Sequence, residues 1–129
     1  MAKVTGIGGV FFRSRNPRAL SEWYSEQLGI NPSEEGGPVL MWSRDDEDPD
    51  RRTLTVWSPF AADTDYFGPT SNQFMVNYRV DDLDEMLKQL ESAGVEIDTK
   101  REDTEYGRFA WIVDPEGNRI ELWEPPAGQ

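Results

Sequence analysis

One spacing constrains this chain more than any motif does: residues recur 66 positions apart. Val10 falls on Val76, Arg13 on Arg79, Asn16 on Asp82, Asp48-Pro49 on Asp114-Pro115, Trp57 on Trp123 and Pro59 on Pro125. A shift that stays constant at both ends of a unit argues for a duplication, and a duplicated supersecondary unit fixes the architecture before other motifs are weighed. With 129 residues the chain makes one domain and is too short for two independent cores. The expected organisation is one α+β domain of two tandem βαβββ units, over about residues 5–59 and 74–125, with a linker at 60–73.

Local patterns agree with the repeat. Residues 9–14, rich in β-branched and aromatic side chains, read as a strand. Asn16-Pro17 supplies a helix N-cap and a proline in the first helical position. Leu20, Trp23, Tyr24 and Leu28 then follow the spacing of a helix with one buried face, which Gly29 ends. Strands at 39–43 and 53–57 follow, separated by an acidic turn at 45–50. The second half repeats the order with a strand at 74–80 and a helix capped by Asp82, whose capping box is completed by Glu85. The apolar face of that helix is Leu83, Met86, Leu87 and Leu90, and Gly94 ends it. Strands at 95–97, 109–113 and 119–123 complete the set. Asp114-Pro115-Glu116-Gly117-Asn118 carries proline and glycine where a tight turn needs them, a structural role.

Composition removes several classes of function. There are 25 acidic against 13 basic residues, a net charge of −12, which repels nucleic acid and anionic membrane surfaces. That charge attracts cationic ligands, or simply keeps the surface solvated. No apolar run approaches the ~20 residues that cross a bilayer, and residues 1–6 lack the apolar stretch of a secretion signal, so a cytoplasmic protein is expected. Without cysteine or histidine there is no disulfide framework, thiolate nucleophile or zinc-thiolate site.

Four segments carry a family resemblance. These are Gly9-Val10-Phe11-Phe12-Arg13 with Asn16-Pro17, Val80-Asp81-Asp82-Leu83-Asp84, Tyr106-Gly107-Arg108, and the long run from Asp114 to Pro125, the most specific. Through them the chain, over about residues 5–125, resembles the vicinal-oxygen-chelate superfamily of glyoxalase I, bleomycin-resistance proteins and extradiol dioxygenases. The resemblance implies a glyoxalase/bleomycin-resistance fold: paired units whose curved mixed sheet surrounds a cavity for ligand and, in many members, a divalent metal. It also implies a homodimer. Carried over, the family's metal-ligand positions fall on Gly9, Thr55, Met75 and Glu121, and only Glu121 ligates well. Glycine offers no side chain, a thioether is too soft for hard divalent ions, and a lone threonine hydroxyl is a poor ligand. The expectation is therefore no cofactor and no native metal, with a divalent ion held weakly at Glu121, helped by Gln73, as the alternative. Without the metal the family's Lewis-acid route is lost.

Strand alternation places the remaining candidates. Phe11 and Arg13 share a face with Gly9, Asn77 and Arg79 with Met75, Thr55 with Trp57, and Glu121 with Trp123. Trp111, Tyr106 and Arg108 join them as candidate ligand contacts, while Tyr66 reads first as a pin that holds the linker to the body. Such a wall is aromatic with a few polar groups, the usual composition of a small-molecule site. Plainer roles stand beside these: core or dimer packing for the tryptophans, surface ion pairs for Arg13 and Arg79, backbone satisfaction for Asn77. Glu121 is different, because Ile120 and Leu122 point the other way. If those two pack under a helix, Glu121 faces the cavity with a pKa raised by desolvation. It then acts as a general base, binds a cation, or is neutralised by Arg13 or Arg79. Three functions follow: a metal-free protein binding a small aromatic or cationic molecule, a glyoxalase-like lyase or isomerase using Glu121, or a non-catalytic dimer with a decayed site.

Overall fold

The structure, a computed structural model, describes residues 1–32, 37–44, 52–69 and 72–127. Its elements are β1 (Val4–Ser14), α1 (Pro17–Leu28), β2 (Val39–Arg44), β3 (Arg52–Ala61), β4 (Phe74–Val80), α2 (Leu83–Ser92), β5 (Glu96–Thr104), β6 (Gly107–Val113) and β7 (Arg119–Glu124). The seven strands form one mixed sheet in the order β2-β3-β1-β4-β7-β6-β5, the βαβββ architecture the repeat implied. Among the described residues the first unit contributes three of these strands and the second four. The acidic turn at 45–50, with the Asp48-Pro49 match, lies outside the described residues, as do residues 70–71 of the linker.

Both helices begin as their sequences dictate. The Asn16 side chain accepts from the Ala19 amide and the Asp82 side chain from the Glu85 amide, each at 3.1 Å. Each bond satisfies one of the first-turn amides that have no partner within the helix.

The two units meet inside one chain, where β1 and β4 pair antiparallel. Val10 lies opposite Val76, its own repeat mate. Gly9 faces Asn77 and Phe11 faces Met75, so the flanking mates are exchanged, as a two-fold axis through the Val10–Val76 pair requires. The outer strands break this symmetry. Phe11 pairs with Ser58, 47 positions on, whereas Asn77 pairs with Glu121, 44 positions on. The first unit therefore carries three extra residues between its first and last strands. An odd shift turns a strand over, so Thr55 and Trp57 lie on the outer, helix-covered face and not with Glu121. The structural counterpart of Glu121 is Ser58, a correction to the uniform 66-residue register.

Each face of the sheet carries its own cluster. On the outer face Val80, Leu83, Met86, Ala110, Ile112 and Leu122 form a closed aliphatic layer under α2. On the inner face Phe11, Phe67, Met75 and Trp111 pack together, with Val56, Phe60, Tyr66 and Phe109 against them. The predicted buried face of α1 is corrected: α1 has no buried residue, and Trp23 and Leu28 are 52% and 60% exposed. The layer between α1 and the sheet holds edge-to-face rings, Phe12 on Trp57, Trp57 on Tyr24, and Tyr24 on Trp23, at 5.2, 4.9 and 5.1 Å.

Candidate functional site

A glycine bulge opens the floor of the inner face. The β1–β4 register slips between Ile7 and Gly9. A Cβ on Gly8 would stand 2.2 Å from Asn77 Oδ1 and 2.8 Å from the Trp123 ring, so only glycine lets the strand approach these side chains. Beside it Asn77 Nδ2 donates to Glu121 Oε2 at 2.7 Å, and Tyr66 Oη donates to Glu121 Oε1. Glu121 is only 1% exposed, and the burial pushes its pKa up, against the opposing pull of the Tyr66 and Asn77 hydrogen bonds. Burial and the adjacent carboxylate also raise the Tyr66 phenol, which stays protonated and donating. Ile120 and Leu122 lie against the layer under α2, the condition on which the inward direction of Glu121 depended.

The linker fills the cavity. Tyr66 stacks on Phe60 at 5.3 Å and meets Trp111 and Phe11 edge-on, while Phe67 is wholly buried against Phe60. Arg13 holds the segment down: its Nε donates to the Asn72 carbonyl and its Nη1 to the carbonyls of Ala62 and Thr64, all at 2.9 Å. Its guanidinium also lies 5.0 Å from the Phe67 ring centroid. Gly68, at φ +79°, turns the chain out of the cavity through a backbone conformation that glycine adopts freely. Trp111 Nε1 is buried and has no hydrogen-bond partner among the described residues, an open donor in the wall of the site.

Of the sequence-predicted residues, Phe11, Met75, Asn77, Trp111 and Glu121 come together here, and Arg13 reaches the rim as a clasp. Arg79 lies along the glycine run and donates to the carbonyls of Ile7 and Leu54, at 2.7 and 2.6 Å. Trp123 stacks on Phe109, and its Nε1 donates to the Tyr106 carbonyl at 2.8 Å. The other four lie elsewhere. Trp57 packs on α1, and Thr55 Oγ1 donates to the Ile7 carbonyl at 2.9 Å from the outer face. The Tyr106 side chain is 69% exposed, and Arg108 pairs with Asp84 on α2 at 2.7 Å. The Arg108 and Arg101 guanidiniums hold the Asp84 carboxyl down to about 2. Phe60 entered no sequence-based expectation, Phe67 entered only as a linker aromatic beside Tyr66, and Tyr66 entered first as a pin and after that as a lesser site candidate. Their one signal was three aromatics within eight residues of an otherwise polar linker.

These residues do not fit a divalent metal. Gly9 has no donor, Met75 lies among aromatic rings, Thr55 is on the wrong face, and both Glu121 oxygens already accept hydrogen bonds. Among the described residues no group of three or more His, Cys, Asp or Glu is placed to hold a metal ion.

A model of the Glyoxalase/Bleomycin resistance protein/Dioxygenase superfamily matches residues 6–122. Among solved structures, the chain is similar to a methylmalonyl-CoA epimerase in complex with methylmalonyl-CoA and NH4+ (TM-score 0.71, 14% identity, covering 98% of this chain and 99% of that one). It is also similar to methylmalonyl-CoA epimerase from Mycobacterium tuberculosis (TM-score 0.57, 21% identity, 95% and 89% covered). A catechol 2,3-dioxygenase is similar at TM-score 0.51 and 25% identity, with 98% of this chain covering 41% of that one. A comparison with curated proteins gives no match.

Proposed function

Because this chain belongs to the glyoxalase/bleomycin resistance/dioxygenase superfamily, we propose that it binds a small aromatic or cationic molecule, without a metal, in the cavity between its units. One observation carries this reading. The buried Glu121–Asn77 pair sits inside aromatic walls and receives the hydroxyl of Tyr66 from a segment that turns at Gly68, and the Tyr66 ring occupies the position we assign to a ligand ring. A ligand ring replaces Tyr66 and Phe67, its donor or cationic group meets Glu121, and an acceptor on it satisfies Trp111 Nε1. A similar fold occurs in a methylmalonyl-CoA epimerase in complex with methylmalonyl-CoA, which supports a small organic ligand.

The test is a panel of aromatic amines followed by tryptophan fluorescence and melting temperature. Saturable quenching is expected, with Tyr66→Phe binding more tightly because the competing hydroxyl is gone, and Glu121→Gln binding the cationic members more weakly. If nothing in the panel binds either the native chain or Tyr66→Phe, the reading fails in favour of a filled, non-catalytic site whose role lies in dimer contacts.

The raised pKa of Glu121 favours a second reading, a lyase or isomerase with Glu121 as general base. A base acts ionised, so turnover rises with pH through a value above the ordinary carboxylate range. Glu121→Gln then abolishes turnover while leaving ligand affinity in place, and retained turnover in that variant removes this reading.

A further inference from the structure

The apolar face of α1 that the sequence predicts as buried opens onto a groove at the ends of β1 and β3. The groove measures about 710 Å³, within the roughly 300–1,000 Å³ typical of small-molecule sites. One wall is Leu20, Trp23 and Tyr24 of α1, and the mouth carries Arg13, Arg15 and Gln73. The Trp23 and Tyr24 rings meet edge to face at 80°, with Trp23 52% exposed and Tyr24 half-buried against Trp57. Arg13 is occupied with the linker carbonyls, whereas Arg15 is exposed and makes no hydrogen bond or ion pair among the described residues.

The charge of this groove is the reverse of the chain's. With 25 acidic residues among 129, two acidic side chains would be expected in a lining of ten, yet the lining contains two arginines and no acid. A net charge of −12 repels anions over the rest of the surface, so a local positive mouth beside bare aromatic rings is a selective feature. An exposed tryptophan beside an arginine that has no partner among the described residues suits a flat ring to cover the indole, with a negative group to meet the guanidinium.

We propose that this groove is a second binding site, distinct from the cavity between the units, for an organic anion with a flat aromatic part. The ring lies against Trp23 and Tyr24, and the sulfonate, carboxylate or phosphate reaches Arg15. The site is separate from the cavity, since its walls are α1 and the strand ends and not Glu121, Asn77 or Trp111, and the two share only the Arg13 clasp and the Ala62 it holds.

Anilinonaphthalene sulfonate, with its uncharged parent phenylnaphthylamine, tests this directly. The sulfonate binds one to one and the uncharged parent more weakly. Arg15→Glu weakens the sulfonate about tenfold, because reversal removes one exposed attraction and adds a repulsion of similar size. Trp23→Ala removes binding. Both substituted positions are exposed, so the variants keep the native fold, checked by circular dichroism. In NMR spectra the Trp23 indole signal moves on titration and the Trp111 indole signal stays. Equal affinity for the uncharged parent, or no effect of Arg15→Glu, overturns the anion site. Movement of Trp111 without Trp23 places the dye in the cavity and overturns the groove.

Discussion

The two helix-covered layers of this molecule come from one duplicated pattern and pack in opposite ways. Under α2, Leu83 and Met86 pack with Ala110, Ile112 and Leu122 in a buried aliphatic cluster. Under α1 the repeat mates of Met86 and Leu90 are Leu20 and Tyr24, and the layer stays open enough to form a groove. Flexible aliphatic side chains fill one another's gaps, while the broad edge-to-face rings of Phe12, Trp57, Tyr24 and Trp23 leave gaps at their margins. The pinning differs as well. Asp84 of α2 is bracketed by Arg108 and Arg101 of the sheet, whereas on α1 Arg18 and Glu22, 3.6 Å apart, form an exposed pair within the helix. Duplication has kept the order of elements and the caps but not the packing between layers, and the copy that packs less well is the one with a surface to offer.

The largest expected difference is in the layers themselves. Met86→Ala should cost about 2–5 kcal/mol, the range for buried large-to-small changes, and Leu20→Ala no more than about 1 kcal/mol. Urea unfolding measures both, and equal costs would break the contrast. The helix caps should behave alike: Asn16→Ala and Asp82→Ala each lose about 1 kcal/mol, since both bonds have the same geometry. Unequal caps would mean that the units already differ in local structure and not only in packing. The smallest effect is electrostatic. The folded pKa of Asp84 is depressed to about 2, so its contribution is present above the ordinary carboxylate value and is lost as pH falls toward 2. Asp84→Asn should flatten that acid limb of the melting curve slightly, whereas Arg18→Gln on α1 should leave it unchanged.

The repeat made the fold legible, because element order, both caps and the apolar face of α2 all depend on local chemistry. It misled at the closing strands. Identical spacing aligned Trp57 with Trp123, but three extra residues in the first unit turn β3 over and carry Thr55 and Trp57 to the outer face. Strand register depends on pairing partners, which no local pattern records. The inward direction of Glu121 was legible from its apolar neighbours, and its raised pKa follows from that direction. Its partner Tyr66 was not, because the path of a linker is set by what it packs against, here the Arg13 clasp and the rings of Phe11, Phe60 and Trp111.

The seam between β1 and β4 has a consequence for a nascent chain. Val10 must wait for Val76, so the β4 edge of β1 stays unpaired while the next 66 residues are made. At ~5–20 residues per second that interval is roughly 3–13 s, long enough for a bare strand edge to meet another chain. The edge exposed during it runs from Val4 to Phe12, and its middle, Gly6-Ile7-Gly8-Gly9, carries the bulge between Ile7 and Gly9. Glycines and a bulge make a poor template for a stranger's strand. The same feature that lets Asn77 and Trp123 approach the finished sheet thus guards the unfinished one against aggregation during synthesis.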